Sequence, residues 1–116
     1  MIVVFGIKNC DTCRAAIKWL DSISKDFRFH DVRKEGLDLK VIRSWSDFVG
    51  WEALLNKRGS TWRRLPDSVK LDINASNAPK YMAENVTLIK RPVFDISGNF
   101  FVGFHETKLL QLIAKE

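Results

Sequence analysis

The 116-residue chain is poor in the residues that mark unusual protein classes: it has two cysteines, three prolines, six glycines and one tyrosine. Two cysteines cannot staple a fold of this length, so a disulfide-built mini-protein is excluded. So few prolines and glycines exclude collagen and low-complexity linkers. No stretch of a dozen residues is free of Asp, Glu, Lys and Arg, so no segment can span a bilayer as a helix. The opening Met1-Ile2-Val3-Val4-Phe5 carries no basic residue, and Lys8 and Asp11 follow at once, so no secretory signal is expected. A cytoplasmic protein follows, and in that compartment thiols stay reduced. A cysteine pair there is catalytic or metal-binding before it is structural.

What is present is the balance of an ordinary globular domain, 46% apolar and 28% charged, with enough chain for one core. Lys and Arg outnumber Asp and Glu by 19 − 14 = 5, which favours anionic partners without naming one. Most basic residues are scattered, so nucleic acid is not expected. The one cluster, Lys57, Arg58, Arg63 and Arg64 around Trp62, reads equally as a solvated loop or as a hold for a small anion.

The β-branched run Ile2 to Phe5 ends at Gly6 and predicts a buried strand. From Asp11 the period changes: Cys13, Ala16, Leu20 and Ile23 predict a helix to about Ser24, with Trp19 on its flank. Phe27, Phe29 and Asp31 then alternate with Arg28 and His30, a second strand that pairs parallel with the first. In the middle, Leu37, Val41, Ile42, Trp45 and Phe48 are helically spaced up to Gly50. Trp51 to Leu55, Thr61 to Leu65 and Ala78 to Glu84 give shorter helical pieces that must pack together to be stable. Val93 to Ile96 and Phe100 to Val102 flank Ser97-Gly98-Asn99 as a hairpin, and Leu109, Leu112 and Ile113 mark a last helix. The expectation is an α/β protein: a thioredoxin-like mixed sheet from 1–32 and 86–116, with an all-helical insertion at 33–85.

The chemistry sits in Gly6-Ile7-Lys8-Asn9-Cys10-Asp11-Thr12-Cys13-Arg14, a Cys-x-x-Cys between a strand and the helix it opens. Cys10 falls at the helix N-terminus, where unpaired N–H groups and the macrodipole favour a thiolate. Cys13 lies one turn inside, near enough to form a disulfide with Cys10 but less accessible, so Cys10 is the attacking sulfur. A helix end is not sufficient. Lowering a free thiol from ~8.5 to ~6.5 takes about 2.7 kcal/mol. A helix end contributes about 0.3–1 kcal/mol, and up to about 2 when partly buried. Asp11 opposes it, so a cation must approach Cys10, and Lys8, Arg58 and Arg91 are the candidates. The pair could instead be two small buried hydrophobes. A metal site is not expected, because His30 and His105 stand singly and far apart in the sequence.

Three blocks, Gly6 to Thr12, Leu54-Leu55-Asn56-Lys57-Arg58-Gly59-Ser60-Thr61-Trp62-Arg63 and Leu88-Ile89-Lys90-Arg91-Pro92-Val93, together resemble the arsenate reductase (ArsC) family. The resemblance is to its small YffB-like branch, with Spx-type regulators as more distant relatives. It implies a thioredoxin-like fold with a helical insertion and Cys10 as nucleophile. In the arsenate reductases a thiolate attacks arsenate, glutathione displaces arsenite, and glutaredoxin resolves the mixed disulfide. Arg91 matches the family arginine before a proline, so Arg91-Pro92 is expected to be cis and to face Cys10. Arg58 falls near a second family arginine. A third falls at Phe104 here, and the glutaredoxin-coupled enzymes keep one cysteine in this loop. Both departures point to weak arsenate turnover with thiol chemistry intact.

These readings define two expectations. The first is a glutathione-linked thiol oxidoreductase with Cys10, Cys13 and Arg91 catalytic and Lys8, Asn9, Arg58 and Pro92 binding substrate. It has no tightly bound cofactor. Glutathione is its cosubstrate, glutaredoxin and a small oxyanion are further candidate partners, and the protein is a monomer. The second is a Spx-like regulator that docks on RNA polymerase and switches through Cys10 and Cys13.

Overall fold

A computed structural model describes residues 1–116, which fall into two compact units, Met1–Glu35 with Arg91–Glu116 and Gly36–Lys90. The first holds four strands, β1 (Ile2–Gly6), β2 (Arg28–Asp31), β3 (Val93–Ile96) and β4 (Asn99–Val102), in the order β2-β1-β3-β4. β1 pairs parallel with β2 and antiparallel with β3, and β3 pairs antiparallel with β4, so the sheet is mixed as expected. Alternation sets the core. Ile2 and Val4 of β1 and Phe94 and Ile96 of β3 meet Ala16 and Leu20 of α1 (Asp11–Ser22) and Leu109 and Ile113 of α8 (Glu106–Ala114). Burying each such aliphatic or aromatic side chain is worth about 1.5–3 kcal/mol, which is what holds α1 against the sheet.

Three local features differ from the sequence reading or sharpen it. α1 ends at Ser22 rather than Ser24, because Ser24 takes a positive φ of 56° that a helix cannot continue. The hairpin turns on Ser97 and Gly98 alone, with φ of 50° and 87°, and Asn99 already belongs to β4. A one-turn helix α2 (Val32–Glu35) follows β2 directly and was not foreseen, since four residues show no period.

The second unit is helical: α3 (Leu39–Val49), α4 (Trp51–Leu54), α5 (Ser60–Arg64), α6 (Asp67–Asp72), α7 (Ala78–Glu84) and a 3-10 turn at Val86–Leu88. Asp38 caps α3 by accepting the Lys40 N–H at 2.9 Å. Ile42, Trp45, Leu54, Ala78, Met82 and Leu88 are fully buried. The sequence reading passed over α6 because it buries none of its residues and so has no apolar stripe. The boundaries expected at 32/33 and 85/86 shift to 35/36 and 90/91. Asp31 accepts the Arg33 and Lys34 N–H groups and keeps α2 with β2. The Leu55–Ile89 bridge and the Lys90 N–H to Leu54 carbonyl bond keep 86–90 with the helices. No helix is long and apolar enough to cross a membrane.

Candidate active site

Cys10 is the N-cap of α1, with extended backbone angles of −130° and 120°, and its carbonyl accepts the Arg14 N–H at 2.9 Å. Cys10 is half-buried, while Cys13 is fully buried, and both are free thiols. Burial pushes the Cys10 thiol up. The backbone N–H and thiol of Cys13, and then the Arg91 guanidinium through a hydrogen bond and its charge, outweigh burial and hold Cys10 below the ordinary thiol range. Burial likewise raises Cys13, here to about 12; the Ile7 N–H opposes the rise and the neighbouring Cys10 adds to it. The two thiols are therefore distinguished by burial and by the direction in which their surroundings shift them.

The cation on Cys10 is Arg91. Arg91-Pro92 is a cis peptide, as expected, and the Pro92 carbonyl accepts the Gly103 N–H at 2.8 Å, which ties this loop to the end of β4. Lys8 is not among the groups that act on the Cys10 thiol: its side chain is exposed and forms no ion pair, and its N–H donates to Asp31 Oδ2 at 3.3 Å. Asn9 is exposed beside it. Asp11, which would repel a thiolate, is paired with the Arg14 guanidinium one turn on. Both are exposed, so the pair removes only part of that repulsion. Arg58 lies in the helical unit, where its N–H donates to Asn56 Oδ1 at 3.1 Å. There it lines a cavity of about 290 Å³ with Leu55, Asn56, Lys57 and Lys90. Lys57 and Lys70 cover the Trp62 ring at 5.4 and 5.8 Å, so this basic cluster is organised around the indole.

The ArsC family model matches residues 5–112, almost the whole chain. The chain belongs to the ArsC family. An uncharacterized protein of Haemophilus influenzae is 44% identical over 106 residues, 91% of this chain and 93% of that one. The solved structure of a YffB protein superposes with a TM-score of 0.93 at 34% identity, covering 97% of this chain and 99% of that one. An ArsC-related protein from Brucella melitensis gives 0.76 at 38% identity, covering 95% and 92%. More distantly, the transcriptional regulator Spx of Streptococcus pyogenes is 24% identical over all of this chain and 87% of its own. A glutaredoxin from Archaeoglobus fulgidus shares the fold, with a TM-score of 0.51 over 97% of this chain and 84% of that one.

Two site residues escape a reading of the ArsC-like sequence for chemistry alone. Gly6 looks like a strand terminator, but a Cβ there would stand 2.5 Å from Cys13 Sγ, so only glycine leaves room for that sulfur. Asp31 continues the apolar alternation of Phe27 and Phe29, an ionisable residue on an inward face, and that was the signal. Its carboxylate accepts three N–H groups, from Lys8, Arg33 and Lys34. Burial acts against the charge, and these donors, with the Lys34 ammonium, hold the carboxyl below its usual range.

Proposed function

We propose that this ArsC-family protein is a cytosolic glutathione-linked thiol oxidoreductase in which Cys10 is the nucleophile. The observation that carries the reading is the Arg91 guanidinium on a sulfur that also caps α1, with its Cys-x-x-Cys partner buried. The Cys10 thiolate attacks the glutathione sulfur of a disulfide. The Cys10–glutathione bond forms, the substrate S–S bond breaks, and the electron pair leaves on the other thiolate. A second glutathione thiolate then attacks the mixed disulfide, giving glutathione disulfide and free Cys10. Arg91 stabilises the thiolate each time it is released. Lys8, Asn9 and the backbone at Pro92 supply contacts for glutathione, whose charges are spread along its length. Glutaredoxin is the proposed alternative resolving partner, and a small oxyanion the alternative substrate.

The test is a substrate screen of the parent beside Cys10→Ser and Cys13→Ser, with glutathione titrated by NMR. Loss of turnover in Cys10→Ser, retention in Cys13→Ser and saturable shifts at Lys8, Cys10 and Arg91 are expected. Turnover that survives Cys10→Ser overturns the reading. The full-length match to Spx supports a second reading, a redox-switched regulator of RNA polymerase. Silence at those residues together with capture of polymerase selects it.

A further inference from the structure

A cavity of about 480 Å³ opens beside the reactive loop, at the edge of the sheet where β2 has no neighbour beyond it. Its floor is Ile7, Ile17 of α1 and Phe29 of β2, and the stems of Lys8, Arg14 and Lys34 extend that apolar surface to the rim. The volume lies in the range of small-molecule sites and exceeds one phenyl ring. Two of the residues that line it, Lys8 and Arg14, flank Cys10 along the chain. Lys8 precedes Cys10 by two residues, at most about 7 Å of chain, and the Arg14 N–H bonds the Cys10 carbonyl at 2.9 Å.

The rim charges are not equivalent. Asp31 accepts three backbone N–H groups, Glu35 Oε2 accepts the Asp31 N–H at 2.9 Å, and Arg14 is paired with Asp11. The Lys8 and Lys34 ammonium groups form no ion pair. Lys34 acts on the Asp31 carboxylate through its charge, which leaves Lys8 as the rim cation without a partner, and an apolar floor under it fits a ring-bearing group that ends in one carboxylate. Glutathione, polar throughout, has nothing to place on Ile7, Ile17 and Phe29.

We infer that this cavity seats the non-glutathione half of the substrate, and that the preferred substrates are mixed disulfides of glutathione with an apolar, carboxylate-bearing thiol. This rests on the glutathione reading above. The exchange is unchanged: Cys10 bonds the glutathione sulfur, and the apolar thiolate departs with the electron pair and takes a proton from water.

Two measurements test it. The first compares kcat/KM for the disulfide of glutathione with 2-mercapto-3-phenylpropanoate and for that with 2-mercaptoethanol, in the parent and in Ile17→Gln. The preference for the phenyl substrate should fall about tenfold in Ile17→Gln, the usual scale for an apolar pocket contact. The second titrates Cys10→Ser protein with 3-phenylpropanoate and, separately, acetate. Saturable NMR shifts at Ile7, Ile17 and Phe29 with the first ligand only are expected. An unchanged preference in Ile17→Gln, or no shifts at those three residues, overturns the assignment while leaving glutathione chemistry standing. Shifts with 3-phenylpropanoate but no turnover of either disulfide remove the glutathione reading and retain the cavity as a binding site.

Discussion

Replacing Gly6 with alanine should damage the fold and the nucleophile together. The added Cβ would stand 2.5 Å from Cys13 Sγ and 3.3 Å from both Cys13 Cβ and Phe29 Cε1. Ordinary carbon contacts begin near about 3.5 Å, so the sulfur must move by about 1 Å. Cys13 is fully buried on the inner face of α1 and has no solvent to move into. Overpacking of this kind costs about 1–3 kcal/mol. For a domain of this size that lowers Tm by about 4–12 °C. The displaced Cys13 also loses the thiol contact that helps hold Cys10 below the ordinary thiol range. The assays are thermal unfolding by circular dichroism under reducing conditions and iodoacetamide alkylation of Cys10 against pH. Gly6→Ala should melt earlier and react more slowly at pH 6.5. Removing the sulfur with Cys13→Ala should recover part of the Gly6→Ala stability loss, a coupling of about 0.5–3 kcal/mol between touching residues. An unchanged Tm with an unchanged alkylation profile would show that Cys13 is not wedged against Gly6, and the account of the buried sulfur would be wrong.

Arg91→Ala should move the alkylation midpoint of Cys10 up toward the ordinary thiol value of ~8.5, and Arg91→Lys should recover only part of the shift because it lacks the planar fork. A parent-like profile in Arg91→Ala refutes the electrostatic assignment. Cys13, raised to about 12, should stay unreactive between pH 6.5 and 8 in Cys10→Ser, and rapid alkylation there reverses the two roles. Asp31→Asn should cost about 1–3 kcal/mol through an unsatisfied N–H. Because the folded carboxyl titrates low, its stabilisation is present above the usual carboxylate range and is lost as pH falls through the folded value. The variant should therefore lack that acid limb, and equal acid limbs in urea titrations of both proteins would contradict it. Phe104→Arg should raise arsenate reduction by about 10²–10³ with glutathione affinity unchanged, and parent turnover equal to a dedicated arsenate reductase would sink that expectation.

Much of this was legible because short-range rules decide it. The strand runs at Ile2 to Phe5 and Val93 to Ile96, the hairpin at Ser97-Gly98 and the helix opened by Cys10 each follow from local period or turn chemistry. The Cys-x-x-Cys at a strand–helix junction marked Cys10 as the N-cap of α1, since an N-cap position is a local property of the chain. What was not legible is three-dimensional. Three cations were candidates for Cys10, and only the pairing of β3 with β1 brings Arg91, two residues ahead of Val93, to the start of α1. Gly6 and Cys13 look independent in sequence, and their contact follows from how tightly α1 packs on β1. The helices α2 and α6 escaped because neither is long enough to show a period.

The charge count at the site separates thiol chemistry from oxyanion chemistry. A thiolate carries one negative charge, and one guanidinium, one helix end and a buried neighbouring thiol are a proportionate set of partners for it. A bound oxyanion with two or three charges requires several fixed donors converging on one centre in a dry site. At position 104 the chain instead presents a phenyl ring, packed edge-on against Trp19 with centroids 5.8 Å apart and planes at 64°. That pair leans on the core formed by α1 and α8. An arginine there would forfeit packing worth about 0.5–1.5 kcal/mol beyond its area, so the aromatic pair stabilises the sheet unit in place of a third cation. With the Asp11 charge engaged by Arg14 and the carboxylate of Asp31 saturated by backbone donors, the electrostatics around Cys10 suit a single thiolate and a ligand whose charges are spread out.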